Sequence, residues 1–159
     1  ARRITVSTSG LVPQIERLAG EGLALGLALS LHATTDDLRD TLVPVNRRWP
    51  LRELLPAAQA YGLRTGRRVT LEYTLIADLN DSPEDADRLA AIARDLPSKI
   101  NLIPYNPVPG LPYLRPTPEA LQAFTERLYP QAPAVTVRNT QGGEIWAACG
   151  QLANLGEGT

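Results

Sequence analysis

Leu23-Ala24-Leu25-Gly26-Leu27-Ala28-Leu29-Ser30-Leu31 is the stretch on which the fold turns. It is apolar at nearly every position, yet far shorter than the ~18 residues of a membrane span. A short unbroken apolar run reads as a strand covered on both faces, the condition of strands inside a parallel sheet. Upstream, Ile4 to Thr8 is a β-branched strand that ends in the turn Ser9-Gly10. Pro13 suits a first helical position, and Ile15 and Leu18 begin an apolar helical stripe.

The same alternation continues downstream. Thr34-Thr35-Asp36-Asp37 predicts a capped short helix carrying Leu38 and Leu42. A second helix is expected from Leu51 to Tyr61, with Leu54, Leu55 and Ala58 on its buried face. Arg68 to Ile76 is the next strand. Asp81-Ser82-Pro83-Glu84-Asp85 starts a helix, with Asp81 as the expected cap and acids at the positive end of the dipole. Lys99 to Ile103 is a strand, followed by a proline-dense loop that ring constraint keeps stiff. Leu121, Phe124 and Leu128 mark another helix, and Ala134 to Arg138 a last strand. Strands alternating with helices define an α/β fold, a parallel sheet of βα units.

Composition narrows the classes. A chain of 159 residues is one domain or part of one. It contains no methionine, and we read it as a piece of a longer protein. No signal peptide is expected at Ala1-Arg2-Arg3, and the single cysteine, Cys149, excludes a disulfide framework and suits a reducing cytoplasm. The net charge of −1 gives no global attraction to nucleic acid. All the basic residues but Lys99 are arginine, grouped at Arg47-Arg48, Arg52, Arg64 and Arg67-Arg68. Such groups suit phosphate, and an arginine-favouring codon usage also produces them.

Polar residues recur where strands end: Ser7 to Ser9, Ser30 and His32, Asp78 and Asn80, and Asn106. In α/β sheets ligands bind at the C-terminal ends of strands, so these residues would share one rim. His32, the only histidine, is either a packed structural residue or a base oriented by Asp36 or Glu72. Asp78, Asn80 and Asp81 have oxygen ligands at close spacing, a pattern that a turn and cap also explain. No glycine-rich phosphate loop is present. Tyr105, Tyr113 and Trp146 are candidates for stacking on bases. Cys149, between small residues and Gly150, is either inert packing or a nucleophile.

Four strings go further. They are Ile4-Thr5-Val6-Ser7-Thr8-Ser9-Gly10-Leu11-Val12-Pro13; Ala28-Leu29-Ser30-Leu31-His32-Ala33 with Leu38-Arg39-Asp40-Thr41-Leu42-Val43-Pro44-Val45-Asn46-Arg47; Asn101-Leu102-Ile103-Pro104-Tyr105-Asn106-Pro107-Val108-Pro109-Gly110; and Ala147-Ala148-Cys149-Gly150-Gln151-Leu152. Together, and in this order, they closely resemble the radical SAM RNA methyltransferases that modify carbon 2 of adenine in 23S rRNA and tRNA. A related family that methylates carbon 8 of the same ribosomal adenine shares the architecture.

The resemblance implies a fold and a chemistry. The chain would be the later part of a partial (β/α)6 radical SAM barrel, with the methyl-carrying cysteine segment at about 140–152. An accessory RNA-binding domain, the C-x-x-x-C-x-x-C motif for a 4Fe-4S cluster, and a second catalytic cysteine belong to a part of the family that this chain lacks. Ser7, Ser30, Leu31, His32 and Asn106 match positions that contact S-adenosylmethionine (SAM), which makes His32 part of a cofactor wall. Cys149 matches the cysteine that takes a methyl group from one SAM. Reductive cleavage of a second SAM then activates that methyl carbon for addition to adenine. An electron donor, a monomeric full-length enzyme and a cytoplasmic location follow, with no membrane and no metal ligand in this chain. The chain departs from the family at Gln141-Gly142-Gly143-Glu144-Ile145-Trp146, where Glu144 alone remains of a usual acidic pair. Two other classes stay open: a non-catalytic α/β module that binds RNA through arginine, and a cysteine hydrolase that pairs His32 with Cys149.

Overall fold

The computed structural model describes residues 4–21 and 25–138. Its elements alternate: β1 (Ile4–Thr8), α1 (Val12–Gly20), β2 (Leu25–Ser30), α2 (Asp36–Leu42), a 3-10 turn (Pro44–Arg47), α3 (Leu51–Thr65), β3 (Val69–Leu75), α4 (Pro83–Arg94), β4 (Ser98–Pro104), α5 (Pro118–Leu128), a 3-10 turn (Tyr129–Gln131) and β5 (Val135–Val137). The five strands form one all-parallel sheet in sequential order, β1-β2-β3-β4-β5.

Sequential order decides the architecture. Right-handed crossovers carry each helix to the same side of the sheet when the order never reverses. A doubly wound sheet would need a switch point, and none exists among the described strands. One face is accordingly buried under helices. Leu27, Leu29 and Leu31 of the β2 run and Leu71, Tyr73 and Leu75 of β3 pack with Ile15, Leu54, Tyr61, Leu89 and Phe124 in a single core. The residues between them, Ala28, Ser30, Glu72 and Thr74, point to the opposite, inner face, because side chains alternate along a strand; all but Glu72 are buried, and a second apolar cluster that includes Ile76, Ile103 and Tyr105 forms beyond them. The fold is the later part of a barrel wall, with helices outside and a polar inner surface.

Local chemistry adjusts the expected boundaries. α3 runs on past Tyr61 to Thr65, where Gly66 adopts φ 69° and its amide bonds the Gly62 carbonyl. Leu63 and Arg64 are solvent-facing helix formers and give no stop signal, so the glycine cap decides the end. Pro56 lies inside this helix near its exposed N-terminal turns. The cap of α4 is Ser82 rather than Asp81. Ser82 and Asp85 form a reciprocal capping box, while Asp81 accepts from the Asp78 amide at 3.1 Å. Thr35 caps α2, and Thr34 instead donates to Asp85 at 3.0 Å, tying the end of β2 to α4.

Candidate functional site

The C-terminal ends of the strands are held by three buried polar side chains. Arg39 of α2 is fully buried and bonds backbone rather than carboxylate. Its Nε donates to the Leu31 carbonyl at 3.0 Å. Its Nη2 donates to the carbonyls of Ser9 at 2.7 Å and Ser30 at 2.9 Å. Its Nη1 donates to Asn46 Oδ1 at 3.0 Å. One guanidinium thus joins the ends of β1 and β2, using the fixed fork that lysine lacks. Burial lowers its pKa to about 10, and the neighbouring Asp36 and Asp40 oppose that shift. Gly10, at φ 120°, leaves room for it; a Cβ there would stand 3.3 Å from the guanidinium.

Asn46 passes the brace outward by donating to Asp40 at 2.7 Å and Asp36 at 3.0 Å. Asn80 does equivalent work between β2 and β3. Its amide donates to the carbonyls of Thr74 at 2.7 Å and His32 at 2.9 Å, and its oxygen accepts from the Ile76 amide at 2.8 Å. These three bonds consume the side chain, so Asn80 is a backbone clamp and not a free oxygen ligand. Among the described residues no group of three His, Cys, Asp or Glu could hold a metal ion.

His32 turns the corner beyond β2 at φ 59°, a left-handed conformation uncommon outside glycine. Its amide donates to the Glu72 carbonyl at 3.3 Å, and its Nδ1 accepts from the Thr74 amide at 3.0 Å. An acceptor Nδ1 is unprotonated, so the ring is neutral and carries its proton on Nε2. Burial, assisted by the Arg39 charge, lowers its pKa to about 3. A hydrolase base needs a carboxylate on a protonated Nδ1 and a pKa near the working pH. His32 has neither. It is a buried residue that ties the end of β2 to β3.

Below this rim the uncovered face forms a concavity of about 520 Å³, lined by Ser7, Thr70, Glu72, Lys99, Asn101 and Arg138 among others. Register explains the set: Ser7, Ala28, Thr70 and Lys99 stand opposite one another across four strands, and Glu72 stands opposite Asn101. Burial raises the Glu72 pKa and the charge of Arg138 opposes that rise. Thr74 Oγ1, at the inner edge of the same strand, is buried without a hydrogen-bond partner among the described residues.

The sequence candidates therefore fall into three groups. Ser7 is exposed in the concavity. Ser30, Leu31 and His32 are buried at the strand end, Leu31 in the helix-side core, and Asn106 is half-buried just beyond β4. Cys149, Gly142-Gly143 and Trp146 lie outside the described residues. Tyr105 is wholly buried edge-on against Tyr113, 5.9 Å between ring centroids, and is not open to a base. The arginines form no single patch. Arg47, Arg48 and Arg52 sit where α3 begins, at the rim end. Arg64, Arg67 and Arg68 sit where it finishes, and Arg67, Arg68 and Lys99 line a second concavity of about 260 Å³. Sequence reading passed over Arg39 and named Glu72 only as a partner for His32. The alternation Thr70, Glu72, Thr74 was a usable signal for Glu72; nothing local marked Arg39 as buried.

No family model matches the chain. It is 54% identical over 155 residues to the dual-specificity RNA methyltransferase RlmN of Anaeromyxobacter sp. strain Fw109-5, covering 98% of the chain and 41% of that protein. It is 56% identical to the probable dual-specificity RNA methyltransferase RlmN of Parafrankia sp., covering 96% of the chain and 40% of the relative. By sequence, the chain is similar along nearly its whole length to part of these RNA methyltransferases. It spans about 40% of the length of these relatives. A crystal structure of a radical SAM methyltransferase from Sphaerobacter thermophilus superposes with TM-score 0.87 at 53% identity, covering 95% of this chain and 44% of that one. A domain of pyruvate-formate lyase-activating enzyme from Bacteroides vulgatus, at 17% identity and TM-score 0.67, shares the fold. The barrel-wall architecture is thus common to both solved structures. No described helix is long and apolar enough to cross a membrane.

Proposed function

We propose that residues 1–159 are the later part of a radical SAM barrel in an enzyme that methylates carbon 2 of adenine in 23S rRNA and tRNA. The segment at about 140–152 carries the methyl acceptor Cys149. The observation that carries the reading is the match of 54–56% identity across nearly the whole chain to dual-specificity RNA methyltransferases. The polar rim supports it.

The residues present suit SAM. A concavity of about 520 Å³ lies within the size range of small-molecule sites. It offers hydroxyl, amide and carboxylate partners, and the unpartnered Thr74 Oγ1 lies close by. Ser7, Ser30, Leu31, His32 and Asn106 are the positions assigned to hold the cofactor. The buried strand-end residues act through backbone and shape, and Ser7 acts through its exposed hydroxyl. When bound, SAM supplies the methyl group and the adenosyl group for radical chemistry. Cys149 would be the residue whose thiolate takes up that methyl group.

The residues present do not suit the 4Fe-4S cluster. One cysteine cannot supply its ligands. We assign those ligands, the accessory RNA-binding domain and the docking of an electron donor to a part of the protein beyond this chain. A cytoplasmic, monomeric enzyme is the accompanying expectation. Peptide mass spectrometry on the anaerobically expressed full-length protein tests the reading. We expect one added methyl on the Cys149 peptide, and none with Cys149→Ala. An unmodified Cys149 in protein loaded with cluster and SAM contradicts the carrier role.

A further inference from the structure

Arg47 ends the 3-10 turn at the rim end of the molecule, Arg48 follows it, and both side chains are exposed. The Arg48 guanidinium lies over the Trp49 ring, 4.9 Å from its centroid. The ion pairs among the described residues are Arg88–Asp85 and Arg127–Asp87, so neither arginine is neutralised by a described carboxylate. The two acids of α2 bonded to this turn are occupied. Asp40 accepts from Asn46, and Asp36 accepts from Asn46 and the Leu51 amide. The turn itself is rigid, because fully buried Asn46 is bonded on one side to Arg39 and on the other to these carboxylates.

We propose that Arg47, Arg48 and Trp49 form a lip that holds the RNA backbone as it enters the rim. Arg47 and Arg48 each contact a phosphate. The Arg48–Trp49 stack presents a flat face to an unpaired base. This surface rests on the reading of RNA as the substrate and adds where the RNA lies. Three features favour RNA over an acidic protein segment. The cations are guanidiniums, which match phosphate bidentately. One of them is already ordered on an indole, so little is lost when a base stacks on it. The Arg39–Asn46 brace connects the lip directly to the ends of β1 and β2, where the cofactor positions lie. The Arg67-Arg68 group at the other end of α3 has no aromatic partner among the described contacts and faces away from the rim. It serves as an internal control.

The test uses the full-length protein and a fluorescently labelled transcript of a 23S rRNA fragment, with binding followed by anisotropy between roughly 50 and 200 mM salt. Losing two phosphate contacts lowers the log–log salt slope by about 1.5. We expect this for Arg47→Gln/Arg48→Gln, with affinity down about tenfold or more in the same range. Trp49→Leu should weaken binding without changing the slope. Arg67→Gln/Arg68→Gln should leave both unchanged. SAM affinity, measured in parallel, should be that of the wild type for all the variants. A wild-type slope in the Arg47/Arg48 variant, or an equal loss in the Arg67/Arg68 variant, overturns the lip. Salt-dependent capture of an acidic peptide in place of RNA also overturns it. Failure of the wild-type protein to bind RNA would show separately, in the unmutated sample, and would remove the RNA reading itself.

Discussion

The two ends of the same five strands are built differently. At the C-terminal ends, polar side chains are buried and bonded to backbone: Arg39 to Ser9, Ser30 and Leu31, Asn80 to His32, Thr74 and Ile76, and His32 to Thr74. At the N-terminal ends, Arg67, Arg68 and Lys99 surround an open concavity, with no described carboxylate paired to any of them. A buried polar group is costly unless its partners are in place, so a cluster of them forces one geometry. Exposed charges impose no such demand. The difference shows where the molecule concentrates structural constraint: on the end where the proposed cofactor positions lie.

Breaking the largest element of that contrast is the first check. Arg39→Met leaves three strand-end carbonyls without their shared donor, and we expect a loss of about 3–5 kcal/mol, read by urea denaturation of the full-length protein. Arg39→Lys keeps the charge but cannot reach all four acceptors, and should recover only part of that loss. Asn80→Ala removes three bonds and should cost roughly 2–4 kcal/mol by the same measurement.

His32 sharpens the contrast through pH. The unfolded chain takes up a proton on this ring near pH 6.5, whereas the folded chain resists until about pH 3. Stability is therefore flat in His32 above 6.5 and falls as pH drops through that window, by about 1.4 kcal/mol per unit. His32→Asn, which tolerates the left-handed backbone and can accept from the Thr74 amide, should remove this component from the acid-denaturation profile. At the opposite end the expected effect is smallest. Arg67→Gln/Arg68→Gln should leave the melting temperature within measurement error, because exposed charges without partners contribute little to stability.

The same division governs what could be read from sequence. The alternation of β2, β3 and β4 with helices was legible because apolar runs and capping residues are local signals. So was the position of Ser30, His32 and Asn106 at the C-terminal ends of their strands, since parallel strands end on the same side; Ser7 instead lies inside β1 and lines the concavity below. The burial of Arg39 was not legible: its acceptors are carbonyls from residues 9, 30 and 31, and carbonyls carry no sequence signature. Asp81 was taken as the helix cap because Asp and Ser are both good caps, and only the turn at Asp78 directs Asp81 elsewhere. The arginine groups looked alike in sequence, and the 15-residue length of α3 separates them to opposite ends. The proposed role of Cys149 rests on the resemblance, since that residue lies outside the described structure.

The most direct test of the rim as the cofactor site is the dissociation constant for SAM, measured by equilibrium dialysis on the full-length protein. Ser7→Val suits it, because Ser7 is exposed in the concavity and valine favours a strand. Loss of one hydrogen bond to the ligand should weaken SAM binding by up to about tenfold, with Arg67→Gln/Arg68→Gln unaffected. SAM binding that ignores Ser7→Val but weakens when Arg67 and Arg68 are changed would put the cofactor at the other end of the sheet and contradict the account.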